Sequence, residues 1–347
     1  MPAALALLLS LIGPLAADAE EGRFAYEERH MGVGWKLILY APDQETADRA
    51  AKAVFARVEE LNGILSDYDP ESELSRLSQT AGSGRPVPVS DELWRVLETS
   101  QSLARQSGGA FDITLGPVIR QWRRARRTGK IPPADELTAA RGLVGHTLLQ
   151  LDPIGRTARL DKADMRLDLG GIAMGYAVDE SLRVLHDMGI TRALLDASGD
   201  IGVTDPPPGA AGWRIEVAPP GGAETNQPSK AAPIVLILAN AAVTTSGDLY
   251  QHVEIDGRRY SHIVDPRTGL GLTDRSNVTV VADTCMAADS LATAASVLGP
   301  QAGLRLIEAT PHAEAQFLRQ PAETLETVRS SGWKHLVQPP PDANHVR

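Results

Sequence analysis

A hairpin pattern in the last third of the chain constrains the fold more than any other sequence feature. Two stretches with alternating apolar residues, Leu249–Ile255 and Arg258–Val264, flank the dipeptide Asp256-Gly257. Asp-Gly suits the two-residue type I′ turn that joins antiparallel neighbours. Antiparallel pairing here argues against a doubly wound parallel sheet.

Helical and strand patterns alternate along the rest of the chain. Apolar residues three or four apart, with capping residues at the ends, predict helices over 43–65, 90–109, 170–189 and about 286–298. Strand patterns occur at Lys36–Tyr40, Ala193–Leu195, Trp213–Val217, Ile234–Leu238 and Asn277–Ala282. This mixture predicts an α+β fold, in which helices pack on mixed or antiparallel sheets.

The amino terminus has the composition of a secretory leader. Residues Ala3 to Ile12 are almost wholly apolar, a run too short to span a bilayer, and small residues follow up to Ala19. We therefore expect residues 1–19 to be a signal peptide and the protein to be periplasmic, either in solution there or held at the membrane. Residues 20–337 would form one domain. The polar, proline-containing stretch 338–347 is expected to be a disordered tail.

Charge and cysteine content exclude some classes of protein. Cys285 is the single cysteine, so no internal disulfide forms and packing alone must stabilise the fold. The net charge of −10 argues against a nucleic-acid binder, which usually carries a basic excess. Positive charge is concentrated between Arg120 and Lys130. That cluster is expected to be a solvated surface, with a docking patch for an acidic partner or for adenosine phosphates as the alternative.

Five short segments rich in Gly, Ser, Thr, Asp and His point to chemistry, because core packing does not require them. They are residues 66–76, 108–117, 168–176, 245–248 and 260–269. In the third of them, two glycines follow Asp168 and precede a helix, where free backbone N–H groups could bind a phosphate. Taken alone, that pattern is also typical of a tight turn. It matches neither the dinucleotide fingerprint nor the Walker loop.

Candidate metal ligands and a candidate base lie near the carboxyl-terminal end. Asp289 and Thr293 are four apart on the last predicted helix and offer hard oxygen ligands of the kind that Mg²⁺ accepts. Alone, such a pair is typical of a solvated helix face. Tyr260, His262 and Val264 are predicted to share one face of a strand. His262 could accept a proton in a phosphate site, although a lone strand histidine is usually structural.

Other common catalytic patterns are missing from the sequence. It contains no His-Glu-x-x-His motif and no Cys/His cluster, which argues against a zinc enzyme. A Gly-x-Ser-x-Gly motif is also missing, which argues against an α/β-type serine hydrolase.

In this order, several motifs together resemble the ApbE-type flavin transferases, also called FAD:protein FMN transferases. The motifs are Gly-Gly-Ala-Phe-Asp at 108–112, Asp-Leu-Gly-Gly-Ile-Ala-Met-Gly-Tyr at 168–176, Ser-His-Ile-Val-Asp-Pro-Arg-Thr-Gly at 261–269, and the helix 287–293. The resemblance extends from about Met31 to about Gly299. It implies an α+β protein that holds FAD as substrate in a cleft, with Mg²⁺ at the pyrophosphate.

The resemblance also implies roles for individual residues. The implied FAD contacts are Met31, Tyr68, Ala110, Phe111, Asp112, Asp168, Met174 and Val264. The implied metal ligands are the Gly171 carbonyl, Asp289 and Thr293, and His262 corresponds to the family's presumed base. Met174 stands where the family commonly has lysine. A cation near FAD is therefore missing, or another group such as Arg267 supplies it.

The implied activity is Mg²⁺-dependent transfer of the FMN part of FAD to a threonine or serine hydroxyl of an exported or membrane flavoprotein, with release of AMP. The acceptor would carry a Ser/Thr-Gly-Ala-Ser/Thr type sequence and belong to a membrane redox complex. Hydrolysis of FAD to FMN and AMP, a non-catalytic periplasmic FAD-binding protein, and an unrelated solute-binding protein stay open. Asp289, Thr293 and His262 together argue against a carrier, because storage needs neither a metal nor a base.

Overall fold

The computed structural model describes residues 21–217, 234–247, 252–320 and 326–337. The predicted signal peptide, the predicted tail at 338–347 and the start of the predicted hairpin lie outside these ranges, so those expectations stay predictions. Within the described ranges, none of the helices combines the length and the hydropathy that crossing a bilayer would require.

Helices and strands alternate through the described chain. The helices are α1 Gln44–Leu65, α2 Glu73–Gln79, α3 Asp91–Gln106, α4 Gly116–Thr128, α5 Ala134–Arg141, α6 Ala173–Asp187 and α7 Cys285–Glu308, with short 3₁₀ turns at Ile113–Leu115, His146–Leu148 and Trp333–His335. The strands are β1 Gly22–His30, β2 Val33–Ala41, β3 Val87–Pro88, β4 Leu149–Asp152, β5 Thr157–Leu160, β6 Ala193–Ala197, β7 Asp200–Val203, β8 Trp213–Val217, β9 Ile234–Leu238, β10 Ala241–Gly247, β11 His252–Ile255, β12 Arg258–Ser261, β13 Val264–Asp265, β14 Leu270–Gly271, β15 Arg275–Ala282, β16 Glu314–Gln320 and β17 Glu326–Arg329.

An eight-stranded sheet organises the molecule, with the strand order β1-β2-β6-β7-β10-β15-β16-β17. Every neighbouring pair in it is antiparallel. The predicted α+β class with antiparallel pairing is therefore confirmed. Smaller sheets are formed by β3-β5-β4, β8-β9, β11-β12 and β13-β14.

The main sheet is buried on both faces. Successive strand residues point to opposite faces, and in β2 this places Leu37 in the cluster under the helices and Ile38 in a second cluster on the other side. Apolar residues of α1, α6 and α7 form the first cluster. The β8-β9 hairpin and Trp333 cover the second. The sheet therefore lies between a layer of α1, α6 and α7 on one face and the β8-β9 pair on the other.

Local capping chemistry fixes the ends of the predicted helices. The Asp43 carboxylate accepts from the Thr46 N–H at 2.7 Å, and the Ser90 hydroxyl accepts from the Leu93 N–H at 3.2 Å. The prediction for the last helix ends at Leu298, where the structure has a break at Gly299 with φ of 73°. The chain then resumes helical geometry to Glu308, which the sequence pattern missed.

The hairpin at Asp256-Gly257 is confirmed at its turn, but its second strand is shorter than predicted. Asp256 and Gly257 have φ of 52° and 71°, as a type I′ turn requires. The prediction that Tyr260, His262 and Val264 share one strand face is wrong, because β12 ends at Ser261. There the Ser261 hydroxyl accepts from the Ile263 N–H at 3.1 Å. This local side-chain turn replaces the strand ladder, and His262 lies on the bend.

Candidate active site

A cavity of about 270 Å³ lies where five sequence-distant parts of the chain meet. They are the loop after α1, the 3₁₀ turn before α4, the loop before α6, the bend after β12, and the middle of α7. Among the residues that line it are Tyr68, Ala110, Phe111, Asp112, Asp168, Gly171, His262, Val264 and Thr293. The structure thus brings most of the candidate residues to one place. Met31, Met174 and Asp289 do not line the cavity.

One wall is built from the Gly-Gly-Ala-Phe-Asp segment. Gly108 and Gly109 have φ of 61° and 81°, which lets the chain reverse after α3. The Asp112 carboxylate then caps the 3₁₀ turn, accepting from the Thr114 N–H at 2.8 Å and its hydroxyl at 2.6 Å. Burial raises the pKa of Asp112, and the bonds from Thr114 oppose that rise. The polar end of this wall is therefore held in a fixed orientation.

Arg123 of α4 connects two other walls of the cavity. Its guanidinium donates to Asp168 Oδ2 at 2.8 Å and also pairs with the Asp67 carboxylate. It stacks on the Tyr68 ring, 4.1 Å from the ring centroid. The expectation that the Arg120–Lys130 cluster is only a solvated surface is wrong for this residue, whose side chain is 25% exposed. Pairing with two carboxylates compensates for its burial.

The charges around Asp168 are balanced by Arg123. Burial and the neighbouring Asp67 carboxylate raise the pKa of Asp168, while Arg123 and the Gly170 N–H lower it. Burial alone would lower the pKa of Arg123, but the bond to Asp67 and the charge of Asp168 reverse that direction. Arg123 is therefore the cation that lets two carboxylates share this part of the cavity.

Helix periodicity was the sequence pattern that could have identified Arg123. Leu115, Ile119, Arg123 and Arg126 all line the cavity. They are spaced four, four and three apart, so they fall on one face of α4 and the turn before it. The run of arginines in the sequence hides this cavity-lining face of α4, because other arginines lie between its residues.

Two of the candidate metal ligands, Gly171 and Thr293, meet in the lining of the cavity. A Cβ placed on Gly171 would lie 2.8 Å from Thr293 Oγ1, so the backbone of Gly171 passes directly over that hydroxyl. The Ser246 hydroxyl lies 3.5 Å from the same oxygen. One turn earlier on α7, Asp289 is only 5% exposed, and its Oδ2 accepts from the Gly175 N–H at 3.3 Å.

These residues suit Mg²⁺. Burial and the negative charge of Asp200 raise the pKa of Asp289 well above its usual range, and a divalent cation would offset both effects. The available donors are hard oxygens from a carboxylate, a hydroxyl and a carbonyl. Across the described residues, no group of three or more His, Cys, Asp or Glu is placed to hold a metal. A carboxylate, a hydroxyl and a carbonyl fit an ion that completes its coordination shell with water and substrate phosphate.

The sequence profile of the ApbE family matches residues 31–317. The chain belongs to the ApbE family. It is 33% identical over 255 residues to an FAD:protein FMN transferase of Vibrio cholerae, covering 73% of this chain and 74% of that protein. It is 28% identical over 343 residues to an FAD:protein FMN transferase of Haemophilus influenzae, covering 96% of each chain.

A solved ApbE structure has the same architecture. The flavin transferase ApbE from Vibrio cholerae superposes with a TM-score of 0.81 at 28% identity, covering 91% of this chain and 99% of that chain. A likeness over almost the whole of both chains means that the described fold is the ApbE fold.

Several candidate residues of this ApbE-family protein lie beside the cavity rather than in its lining. Met31 occupies the β1-β2 turn with φ of 48°, and Met174 lies in the first turn of α6, both packed against the main core. Arg267, the suggested replacement cation, binds Asp265 through two bonds of 2.9 Å. The FAD-contact roles of Met31 and Met174 stay predictions. Arg123 lines the cavity, whereas Arg267 does not.

His262 faces the cavity from the bend that follows β12. The neighbouring hairpin β13-β14 holds this bend in place, because Trp122 Nε1 of α4 donates to the Gly269 carbonyl at 2.8 Å. Leu272 N–H donates to the Ile263 carbonyl at 2.9 Å and closes the other side. A histidine on a bend anchored from two directions is positioned by the fold rather than by a strand ladder.

Proposed function

We propose that this protein is an FAD:protein FMN transferase that moves the FMN part of FAD onto a threonine or serine hydroxyl of another protein and releases AMP. One observation carries the proposal. The cavity of a chain of the ApbE family brings most of the candidate FAD contacts, the oxygen ligands Gly171 and Thr293, and His262 to a single place. These residues come from segments far apart in sequence, and a structural role alone would not gather them.

Asp289, Thr293 and the Gly171 carbonyl would hold Mg²⁺ in this proposal. When bound, the ion would neutralise charge on the FAD pyrophosphate and on the leaving AMP. The fit rests on the donor chemistry described above.

The chain's own residues orient the substrate. Tyr68 is 76% exposed and presents a flat ring at the cavity mouth, suited to stacking on one of the aromatic rings of FAD. Arg123 lies against the other face of that ring and restricts its orientation. Ala110 and Phe111 supply buried apolar surface on the opposite wall. Stacking on one wall and apolar contact on the other would fix the flavin nucleotide before reaction.

His262 moves the proton in the transfer step. The acceptor threonine Oγ attacks the FMN phosphorus, and its proton passes to the imidazole of His262. A new P–O bond forms to the threonine as the P–O bond to AMP breaks. Little covalent chemistry remains for the protein, so positioning and charge neutralisation account for most of the acceleration.

We infer the acceptor from the family resemblance and the location from the amino-terminal sequence. We infer an exported enzyme, supported by the leader pattern at residues 1–19, and an exported or membrane flavoprotein as acceptor. Its modified residue would lie in a Ser/Thr-Gly-Ala-Ser/Thr type sequence.

The test mixes protein from Glu20 onward with FAD, Mg²⁺ and an acceptor domain carrying that sequence, and measures flavin fluorescence on a denaturing gel. We expect a fluorescent acceptor band that EDTA abolishes. Free FMN and AMP without a band would indicate an FAD hydrolase, and intact bound FAD would indicate a carrier.

The residue test compares His262→Ala with His186→Ala, a side chain 77% exposed on α6. His262→Ala should bind FAD normally and lose transfer, whereas His186→Ala should match wild type. Normal transfer by His262→Ala would remove this histidine from the mechanism.

A further inference from the structure

A second depression opens directly off the candidate active site. It has a volume of about 630 Å³ and shares Asp67, Tyr68, Arg123 and Arg126 with the cavity. Its outer wall carries Arg120, Arg127 and Arg166, none of which lines the cavity itself. We call this depression the arginine groove.

Two separate parts of the chain build the groove. Arg120 and Arg127 are seven apart on α4 and therefore lie on the same helical face as Arg123. Arg166 comes from the segment before α6, which packs against the start of α4 at Gly116. A Cβ on Gly116 would lie 2.6 Å from the Arg166 carbonyl oxygen, so glycine there permits the close approach. The fold thereby adds an arginine from a distant segment to those of the helix.

The outer arginines have charge available for a partner. Arg120, Arg127 and Arg166 are exposed, and within the described residues they make no hydrogen bond or ion pair through their side chains. By contrast, Arg124 on the same helix is paired with Glu136 at 3.2 Å. The whole chain carries a net charge of −10, which repels acidic partners elsewhere on the surface. The groove is thus an attractive site for negative charge on an acidic protein.

We propose that the arginine groove docks an acidic segment of the acceptor protein, next to the residue that receives FMN. The inference rests on the proposed transferase function and deepens it by naming how the acceptor is recognised. The FAD pyrophosphate belongs with Gly171 and Thr293, which line the cavity but not the groove. The groove is therefore left for the other substrate.

The acceptor of a transferase must reach the reacting phosphate from outside, past the mouth of the cavity. Tyr68 and Arg123 are common to both depressions, so a chain lying in the groove passes the mouth where FAD would be held. Guanidinium groups bind carboxylates with two parallel hydrogen bonds, which orients a peptide as well as attracting it. Docking there would steer the acceptor hydroxyl toward the cavity.

The experiment replaces Arg120, Arg127 and Arg166 together by glutamine. The matched control replaces Arg49, Arg95 and Arg105, exposed arginines of α1 and α3, in the same way. Two probes are used: a fluorescein-labelled hexaglutamate peptide for binding, and an acceptor domain with a tetraglutamate or a tetraglutamine flank for transfer. FAD binding is titrated for each protein.

We expect wild type and the control to bind hexaglutamate and to prefer the acidic acceptor. The groove variant should bind the peptide about tenfold more weakly and raise the KM for the acidic acceptor by a similar factor, with kcat and FAD affinity unchanged. The preference should also weaken with added salt, because exposed charges are screened.

Three outcomes would overturn the inference. Equal KM values for the groove variant and the control would show that the groove does not dock the acceptor. A weakened FAD affinity in the groove variant would assign the groove to the nucleotide instead. Equal use of both flanks by wild type would exclude an acidic segment. Failure of wild type to label either acceptor would instead refute the transferase function itself.

Discussion

Replacing Arg123 by glutamine should leave the carboxylates of Asp67 and Asp168 to repel each other. The substitution keeps a polar side chain, although a shorter one, and removes the cation that both carboxylates share. Removing one partner of a buried ion pair typically costs about 3–5 kcal/mol. Because Arg123 and Asp168 are 25% and 11% exposed, water compensates for part of that loss. We expect the free energy of unfolding to fall by about 2 kcal/mol at pH 8.

The loss of stability in the Arg123→Gln variant should depend on pH. Burial and Asp67 already raise the pKa of Asp168, and the variant loses the lowering effect of Arg123. An acid with a folded-state pKa above its unfolded value takes up a proton first in the folded state. Protonation therefore stabilises the folded variant as the pH falls through that pKa. The deficit relative to wild type should be largest at pH 8 and should shrink toward pH 5.

Urea unfolding at pH 8 and pH 5 provides the assay. Arg124→Gln is the control, since this arginine on the same helix forms an exposed pair worth at most about 1 kcal/mol. Combining Arg123→Gln with Asp168→Asn should cost less than the sum of the single changes by about 1–2 kcal/mol. A deficit that is equal at both pH values, or strict additivity, would refute the shared-cation explanation.

Three further outcomes follow from individual contacts. Gly175→Ala should lower stability by about 2 kcal/mol, because its Cβ would meet the Cys285 carbonyl and lie 2.8 Å from Met286 Cα; an unchanged urea midpoint would contradict this. Burial raises the pKa of Asp179 to about 6, so wild type should gain up to about 3 kcal/mol over Asp179→Asn as the pH falls from 7 toward 4. Parallel stability profiles of the two proteins would exclude that titration. Tyr68→Ala should weaken FAD binding about tenfold in a fluorescence titration without lowering stability, and unchanged affinity would remove the ring from the site.

Elements set by local chemistry were predictable from the sequence. Asp43 and Ser90 cap their helices through hydrogen bonds to residues three positions away. Short stretches of sequence therefore determine where α1 and α3 begin. The Asp256-Gly257 turn needs two positive φ angles that this dipeptide tolerates. The α+β class follows, because such a turn commits its neighbours to antiparallel pairing.

Strands with polar composition were missed, because their pairing partners are distant. β1 is an edge strand in which Phe24 and Tyr26 pack against the core while Glu27 and Glu28 are exposed, so its apolar alternation is short. In β10, Thr245 shares a hydrogen bond of 2.9 Å with Thr279 of the neighbouring strand β15. Such a polar residue is satisfied only by a partner more than thirty positions away. A single segment cannot reveal that.

The candidate site was predictable residue by residue through the family motifs, but its charge balance was not. The resemblance named Tyr68, Asp168 and His262, and the structure places them around one cavity. Arg123 contacts Asp67 and Asp168 at separations of 56 and 45 residues, which no local pattern records. The pairing depends on how α4 packs against two loops, and packing is a property of the whole fold.

Three carboxylates that are costly to bury interact with one another: Asp179 of α6, Asp200 of β7 and Asp289 of α7. Burial raises the pKa values of Asp179 and Asp200 to about 6, and that of Asp289 well above its normal value. Asp179 accepts from the Cys285 and Met286 N–H groups and thereby fixes the start of α7, so its burial serves the helix. Among the described residues, Asp289 accepts just the long hydrogen bond from the Gly175 N–H, so its burial does not fix a helix start in the same way. A costly buried carboxylate one helical turn from Thr293 therefore supports the proposed cation, whose binding would offset the cost of burial.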